Sequence, residues 1–409
     1  MSSTAPFELR NFQHLANLVQ SLSIPCEFSR FPRGGCHAYY TRACFQDAKA
    51  AVAALAETAP DLFSQIEVVE SPSRLARLRI PHAVGAVIQS HAAAVHPYKL
   101  VTWLWRRLLQ TSHLNLQTDT PVTALSQDDE NTWMVHTPRG TLRSPHVLLA
   151  TNAYTTHLLP ELQSLIVPVQ GEMSALEPPE SVLSTPMRHD YSFHGVMEQD
   201  QVQEDYLVQR PVESGGHLMF GGGRFMAQGA GVGVSDDSFV DEAAARYLRT
   251  ALPRLLNINE QGTEALPPTW RDLEQEAGNE MEAIAEWTGI MGYSRDGNPW
   301  AGGVPGRNGV WVCAGYTGHG DVGPPPLILN TLRPLTQSGM PNAPLAATHV
   351  AALTAAAVGG KDWRVVEREA VSSGNIPSAY VLTRERMCRA REMPPIQKLA
   401  NVPKRGQSS

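Results

Sequence analysis

Residues 286–320 read EWTGIMGYSRDGNPWAGGVPGRNGVWVCAGYTGHG. Two apolar pieces, 287–291 and 310–314, each run into a cluster of glycines and small polar residues. The segment 309–314 (GVWVCA) is a short apolar run bounded by turn residues, which predicts a buried strand. The loop 315–320 (GYTGHG) then presents a backbone with almost no Cβ bulk. A large planar ligand needs such a surface to come close.

Outward from this stretch, the apolar run 147–150 ends in the small polar tip Thr151-Asn152-Ala153-Tyr154, with a helix expected over 155–162. A buried strand ending in small residues and followed by a helix suits the carboxyl edge of a dinucleotide-binding sheet. Before it, the patterning predicts a helix over 7–22, a strand pair within 28–40 broken by Arg33-Gly34-Gly35, and an alanine-rich helix over 46–57. Then come a strand over 84–92, a helix opened by Pro97 and a strand over 114–125. A hairpin of 132–136 with 141–143 completes this half. From Ile166 strands dominate: 166–171 with 173–176, then 205–211 and 217–220 as an antiparallel pair turning at Ser214-Gly215-Gly216. A helix is expected over 241–256, a helix or irregular segment over 273–284, and helices over 345–358 and in the charged tail 380–391. Strands with few helices between them suggest an antiparallel sheet inserted into an α/β nucleotide domain.

The 409 residues suffice for two domains, and 42% hydrophobic with 18% charged residues describe a globular chain. A net charge of −7 argues against nucleic acid as the main partner. Five scattered cysteines without a C-x-x-C pair read as reduced thiols rather than a disulfide or zinc framework. No secretory leader or membrane-spanning run is apparent, so a cytoplasmic protein is expected. The histidines show no metal-ligand spacing, and no metal site is expected.

The order of motifs resembles the C-terminal flavin-contacting segment of the FAD-dependent amino-acid and amine oxidases. The matching pieces are Trp287-Thr288-Gly289, Asp296-Gly297-Asn298-Pro299 and the loop 315–320. The resemblance runs over most of the chain. It implies a Rossmann-like FAD-binding domain carrying an inserted antiparallel substrate-binding sheet. Shared elements would occupy 1–90, FAD-binding parts 91–165 and 289–393, the substrate domain 166–288 and a disordered tail 394–409. The implied activity is oxidation of a C–N bond of a small amine or amino acid by hydride transfer to flavin, with dioxygen as acceptor.

The resemblance also implies site residues. Val122 matches a strand position at the adenine, and Ala150, Thr151 and Asn152 match a segment beside the pyrophosphate. Gly289, Gly315, Thr317, Gly318, His319, Gly320 and Met340 would line the flavin. His319 and Tyr316 are the candidates for contact with the reacting groups. Asp296 matches a turn aspartate with either a structural or a ligand role. Gly289 stands where sarcosine oxidase has its flavin-linking cysteine, so non-covalent FAD is expected. Met291 occupies the substrate-facing position where glycine oxidase has its carboxylate-clamping arginine, and a thioether offers no bidentate fork. The lysine that sarcosine oxidase uses would fall on Val322, or on Pro341 if the preceding segment is skipped. Arg210 and Arg224 are the substitutes for that anchor.

Other features depart from the family. The glycine-rich turn that holds a dinucleotide pyrophosphate is expected within the first few dozen residues and is not found there. The look-alike Gly229-Ala-Gly231-Val-Gly233 follows no apolar strand and reads as a flexible loop. Gly221 to Gly223 read as a bulge where backbone packs closely. Residues 321–339, rich in proline, separate the loop from its expected helix and read as either an insertion or intron-like sequence. The second functional reading is therefore a truncated or degenerate relative that binds no FAD.

Overall fold

The computed structural model describes residues 4–195, 204–259, 280–317 and 342–396. Its largest unit is an eight-stranded sheet in the order Ala283–Ser294, Ile166–Leu176, Leu218–Gly222, Glu204–Gln209, Asp190–His194, Gly35–Tyr39, Gly85–Gln89, Ile66–Val69. Neighbours are antiparallel except Asp190–His194 with Gly35–Tyr39, which run parallel. Successive strand residues point to opposite faces, and here the two faces differ sharply. One carries Cys36, Ala38, Tyr191, Phe193, Leu207, Leu218 and Phe220 into a core with Tyr247, Leu248, Ala251, Leu252 and Leu255 of the helix Glu242–Leu255. That helix starts where expected, because the Asp241 side chain accepts from the backbone of Ala243 and Ala244. The other face carries His37, Tyr39, Met173, Tyr206, Gly171, Gly289 and Met291.

A second sheet orders Trp300–Gly303, Val310–Ala314 and Val147–Leu149, the first pair antiparallel and the second parallel. All five residues of Val310–Ala314 are buried, as a short apolar run bounded by turns demands. Val312 and Ala314 face Leu159, Leu162, Leu165, Ile166 and Trp300. Trp311 and Cys313 face Phe7 of the helix Thr4–Leu22 and Ala346, Val350 and Leu353 of the helix Ala343–Val358. A three-stranded meander, Ala124–Gln127, Trp133–Thr137 and Gly140–Ser144, leans on this unit through buried Trp133. The Trp133 indole N–H donates to the Asn308 carbonyl at 2.7 Å.

Several local expectations change. The strand Ser29–Arg30 pairs with Ala93–Ala94 rather than with Gly35–Tyr39, because the chain between carries Gly34 at φ 76° and turns away. The expected strand 114–125 is displaced: the paired strand is Ala124–Gln127, which shares only Ala124 and Leu125 with it. The helix expected over 155–162 shrinks to Thr155–Leu158 and a 3-10 turn at Pro160–Leu162, since proline at 160 cannot continue the ladder. Gly221 and Gly222 stay in regular register with Met173 and Glu172, so no bulge forms. The close packing is real: a Cβ on Gly221 would lie 2.3 Å from Met173 Sδ. The glycine loop at 229–233 is pinned to the sheet rather than loose. Gly233 donates to the Pro168 carbonyl at 2.8 Å, and Val232 bridges to Val169.

The eight-stranded sheet takes strands from both 1–90 and 166–294. The segments 260–279, 318–341 and 397–409 lie outside the described residues, including the expectations for 273–279, 321–339 and most of the tail.

Candidate functional site

Three segments remote in sequence meet at the carboxyl end of Val310–Ala314. The chain leaves this strand through Gly315 at φ 71°, where a Cβ would sit 2.8 Å from Trp300 Cδ1. Only glycine suits both demands. The side-chain oxygen of Asn152 accepts from the backbone N–H of Gly315 at 3.0 Å and of Tyr316 at 3.3 Å. Asn152 itself adopts φ 43°, a region that asparagine tolerates better than most residues. Its oxygen fills the space at Gly292, where a Cβ would lie 2.5 Å away. Thr317 closes the arrangement along the edge strand Ala283–Ser294. Its N–H donates to the Gly292 carbonyl at 2.8 Å, and its hydroxyl accepts from the Ser294 N–H at 3.1 Å. Asn152, the strand end Gly292–Ser294 and residues 315–317 are thus tied together, the last to each of the other two by hydrogen bonds.

Beside this unit the sheet presents a flat face. Gly289 pairs directly with Gly171. A Cβ on Gly289 would meet no atom within 4 Å, whereas one on Gly171 would strike Met291 Cε at 2.6 Å. The Met291 thioether therefore lies across Gly171 and leaves Gly289 open.

The other expected residues are distributed as follows. Ala150 and Thr151 are exposed, with the Thr151 hydroxyl 2.8 Å from that of Thr155. Val122 is half-buried in the irregular chain leading to Ala124–Gln127. The Tyr316 hydroxyl meets Cys313 Sγ at 2.7 Å and its ring packs with the Phe7–Trp311 cluster. Burial pushes both the Tyr316 and Cys313 pKa values up. Gly318, His319, Gly320 and Met340 lie outside the described residues, as do Val322 and Pro341.

Arg210 is committed elsewhere. Its Nη2 and Nε donate to Glu27 at 2.9 and 3.1 Å. Lys99 meets the same carboxylate, and these hydrogen bonds, Arg210 first, hold the Glu27 pKa down to about 2. Arg224 is placed differently. Its guanidinium lies 5.0 Å from the centre of the Tyr293 ring, Nη1 donates to the Tyr293 hydroxyl at 2.6 Å, and Nε donates to the Ala230 carbonyl at 3.4 Å.

Asp296 accepts from Arg386, Ser294 and the Asn298 N–H. Sequence reading missed Arg386, which gave no signal beyond one more charge in a charged tail. It also missed Gly292, whose only mark was its small size beside Met291. No group of three or more His, Cys, Asp or Glu side chains placed to hold a metal ion occurs among the described residues. No helix there is long and apolar enough to cross a membrane.

A face with no Cβ in the way is compatible with the flat ring end of an FAD. Gly289 leaves room for a flat ring system, and Asn152 fixes the backbone that leads into the glycine loop.

The sequence model of the family described as DAO, FAD dependent oxidoreductase, matches residues 2–320. A glycine oxidase of Pseudomonas aeruginosa is 27% identical over 237 residues, covering 58% of this chain and 54% of that protein. This chain thus spans about half the length of that curated relative. Among solved structures, glycine oxidase from Geobacillus kaustophilus aligns with a TM-score of 0.58 at 19% identity, covering 85% of this chain and 80% of the other. Iminodiacetate oxidase from Chelativorans sp. BNC1 aligns with a TM-score of 0.59 at 14% identity, covering 88% and 82%. At these identities the structural likeness establishes the fold, a mixed α/β architecture.

Proposed function

Because the chain belongs to the FAD-dependent oxidoreductase family, we propose that it oxidises a C–N bond of a small amine or amino acid. The observation that carries this reading is the hydrogen-bonded unit of Asn152, Gly292, Gly315 and Thr317 beside the open face at Gly289. Non-covalent FAD would supply the acceptor for a hydride from the carbon bearing nitrogen, with dioxygen taking the electrons afterwards.

The chain's own part is to bind, orient and exclude water. Gly289, Gly315 and Thr317, continuing into Gly318, His319 and Gly320, would lie along the ring system. Ala150, Thr151 and Asn152 would flank the cofactor, with Val122 towards the adenine and Met340 at the flavin. The side chain at 289 being absent, no cysteine is available there for a covalent link. Met291 would line the substrate side with an apolar, adaptable surface. Tyr316 meets Cys313, so its role in this reading is to hold the loop in place, leaving His319 as the candidate for direct contact. Five unpaired cysteines accord with a cytoplasmic location, which forms part of the proposal.

The test is purification of the full chain followed by absorbance spectroscopy and acid extraction. About one equivalent of flavin, released on denaturation, is expected. Amines and amino acids are then screened by oxygen uptake. A colourless chain that takes up no added FAD overturns the proposal in favour of a non-catalytic relative.

A further inference from the structure

We infer that the outward face of the helix Pro97–Gln110 docks on an anionic lipid surface, lying in the headgroup layer rather than crossing it. This docking does not depend on the oxidase chemistry proposed above. A helix at a protein surface needs one apolar stripe, and this one has two. Leu100, Trp103 and Leu104 form the inner stripe and pack with Leu15 and Val19 of the helix Thr4–Leu22. Tyr98, Val101, Trp105, Leu108 and Leu109 form the outer one and are 74, 40, 43, 48 and 42% exposed. At about 3.6 residues per turn these five fall within an arc of roughly 100°. Single exposed apolar residues are ordinary, whereas a continuous stripe marks a surface that binds something.

Charge identifies the partner. Residues 91–118 contain no Asp or Glu, in a chain whose 40 acidic residues outnumber its 33 Lys and Arg. Lys99 and Arg106 lie along one margin of the outer stripe, roughly 60–80° beyond Leu109. Arg107 lies on the other side, 5.6 Å from the centre of the Trp103 ring. Arg106 and Arg107 are exposed, and neither meets a carboxylate among the described residues. Glu27 is met by both Arg210 and Lys99, so that cluster keeps a net positive charge. The face therefore suits a negatively charged surface that also accepts apolar side chains.

A lipid interface meets both demands at once. Tyrosine and tryptophan rings settle at headgroup level, and arginine and lysine stems let an apolar stripe sink while their charges stay among the phosphates. The whole chain carries a net charge of −7. An anionic surface thus attracts this helix and repels most of the molecule, which fixes one orientation.

The test is co-sedimentation of the full chain with two kinds of vesicle, phosphatidylcholine alone and phosphatidylcholine with about a third phosphatidylserine. Affinity for the phosphatidylserine vesicles is expected to be roughly tenfold or more higher and to fall as salt is raised. The double variant Trp105→Ser with Leu108→Ser should lose most binding to those vesicles. Arg106→Gln with Arg107→Gln should reduce the preference for phosphatidylserine several-fold. All four positions are exposed, and thermal melts check the fold. Should the serine variant fail to fold, the glutamine variant decides. Absence of binding to phosphatidylserine vesicles, equal binding to both kinds, or binding unchanged in the folded variants overturns the assignment. Self-association abolished by the serine variant, without vesicle binding, also overturns it, by giving the face to a second copy of the chain. So does capture of an acidic amphipathic peptide without vesicle binding, which would give the face to a protein partner. Flavin content, recorded in parallel, bears only on the oxidase reading.

Discussion

Asp296 and Arg386 lock the turn after the edge strand to the C-terminal helix, with Nε to Oδ2 at 2.8 Å and Nη2 to Oδ1 at 3.0 Å. The same guanidinium donates to the carbonyls of Asn298 and Pro299 at 2.8 and 2.9 Å and stacks 3.7 Å from the Trp300 ring centre. Nearly every capacity of the fork is used, so this arginine holds the chain reversal that aims residues 289–294 at the glycine loop. Removing one member of a buried ion pair strands the other and costs about 3–5 kcal/mol. Arg386→Met is expected to lower the unfolding free energy by about 3 kcal/mol, measured by urea denaturation. A loss below about 1 kcal/mol would show that the clamp is dispensable.

Asn152→Ala should loosen the loop rather than the whole fold. It leaves the N–H groups of Gly315 and Tyr316 without their acceptor, at about 1–3 kcal/mol for a buried donor. Flavin affinity is expected to fall roughly tenfold, equivalent to about 1.4 kcal/mol. Asn152→Asp keeps the oxygen and should recover most of the stability. Fluorescence titration with FAD, alongside thermal melts, distinguishes the two variants.

Glu172 supplies a pH dependence. Burial raises its pKa from 4.5 to about 7, offset by the Asp241 N–H on Oε1, while Oε2 is buried without a partner among the described residues. The folded protein therefore keeps a proton that the unfolded chain releases between these values. This contribution favours folding below pH 4.5 and is lost as pH rises through about 7. Glu172→Gln should be more stable than wild type at pH 8 by about 1–2 kcal/mol and equal to it near pH 4. Melting temperatures across that range provide the comparison, and parallel curves for the two proteins would refute the assignment.

Glu27 works in the opposite sense. Arg210 and then Lys99 hold its pKa down to about 2 from 4.5, so its stabilisation is present above pH 4.5 and disappears as pH falls towards 2. Arg210→Met should cost about 2 kcal/mol at pH 7, allowing for partial exposure of the pair. The loss should shrink on acidification. Urea denaturation at pH 7 and pH 3 makes the comparison, and an equal loss at both would refute the assignment.

What the sequence determined by itself were features written in short windows. The apolar run at Val310–Ala314, the glycine loop after it and the pairing of Glu204–Gln209 with Leu218–Gly222 were all legible. Periodicity and turn chemistry act over a few residues, so they leave a local trace. The small polar tip around Asn152, following the run at Val147–Leu149, was readable for the same reason.

Tertiary structure alone decided the partners. Ser29–Arg30 looks no different in sequence whether it pairs with Gly35–Tyr39 or with Ala93–Ala94, because strand patterning specifies a face and not a neighbour. Arg210 and Arg224 were equal candidates by residue type. Packing brought Glu27 to one and the Tyr293 hydroxyl and the Ala230 carbonyl to the other. Likewise, Gly289 faces open space and Gly171 faces a methionine, though both are glycines on one sheet face. Charge and hydrogen-bond satisfaction depend on which elements are pressed together, and only the folded chain establishes that.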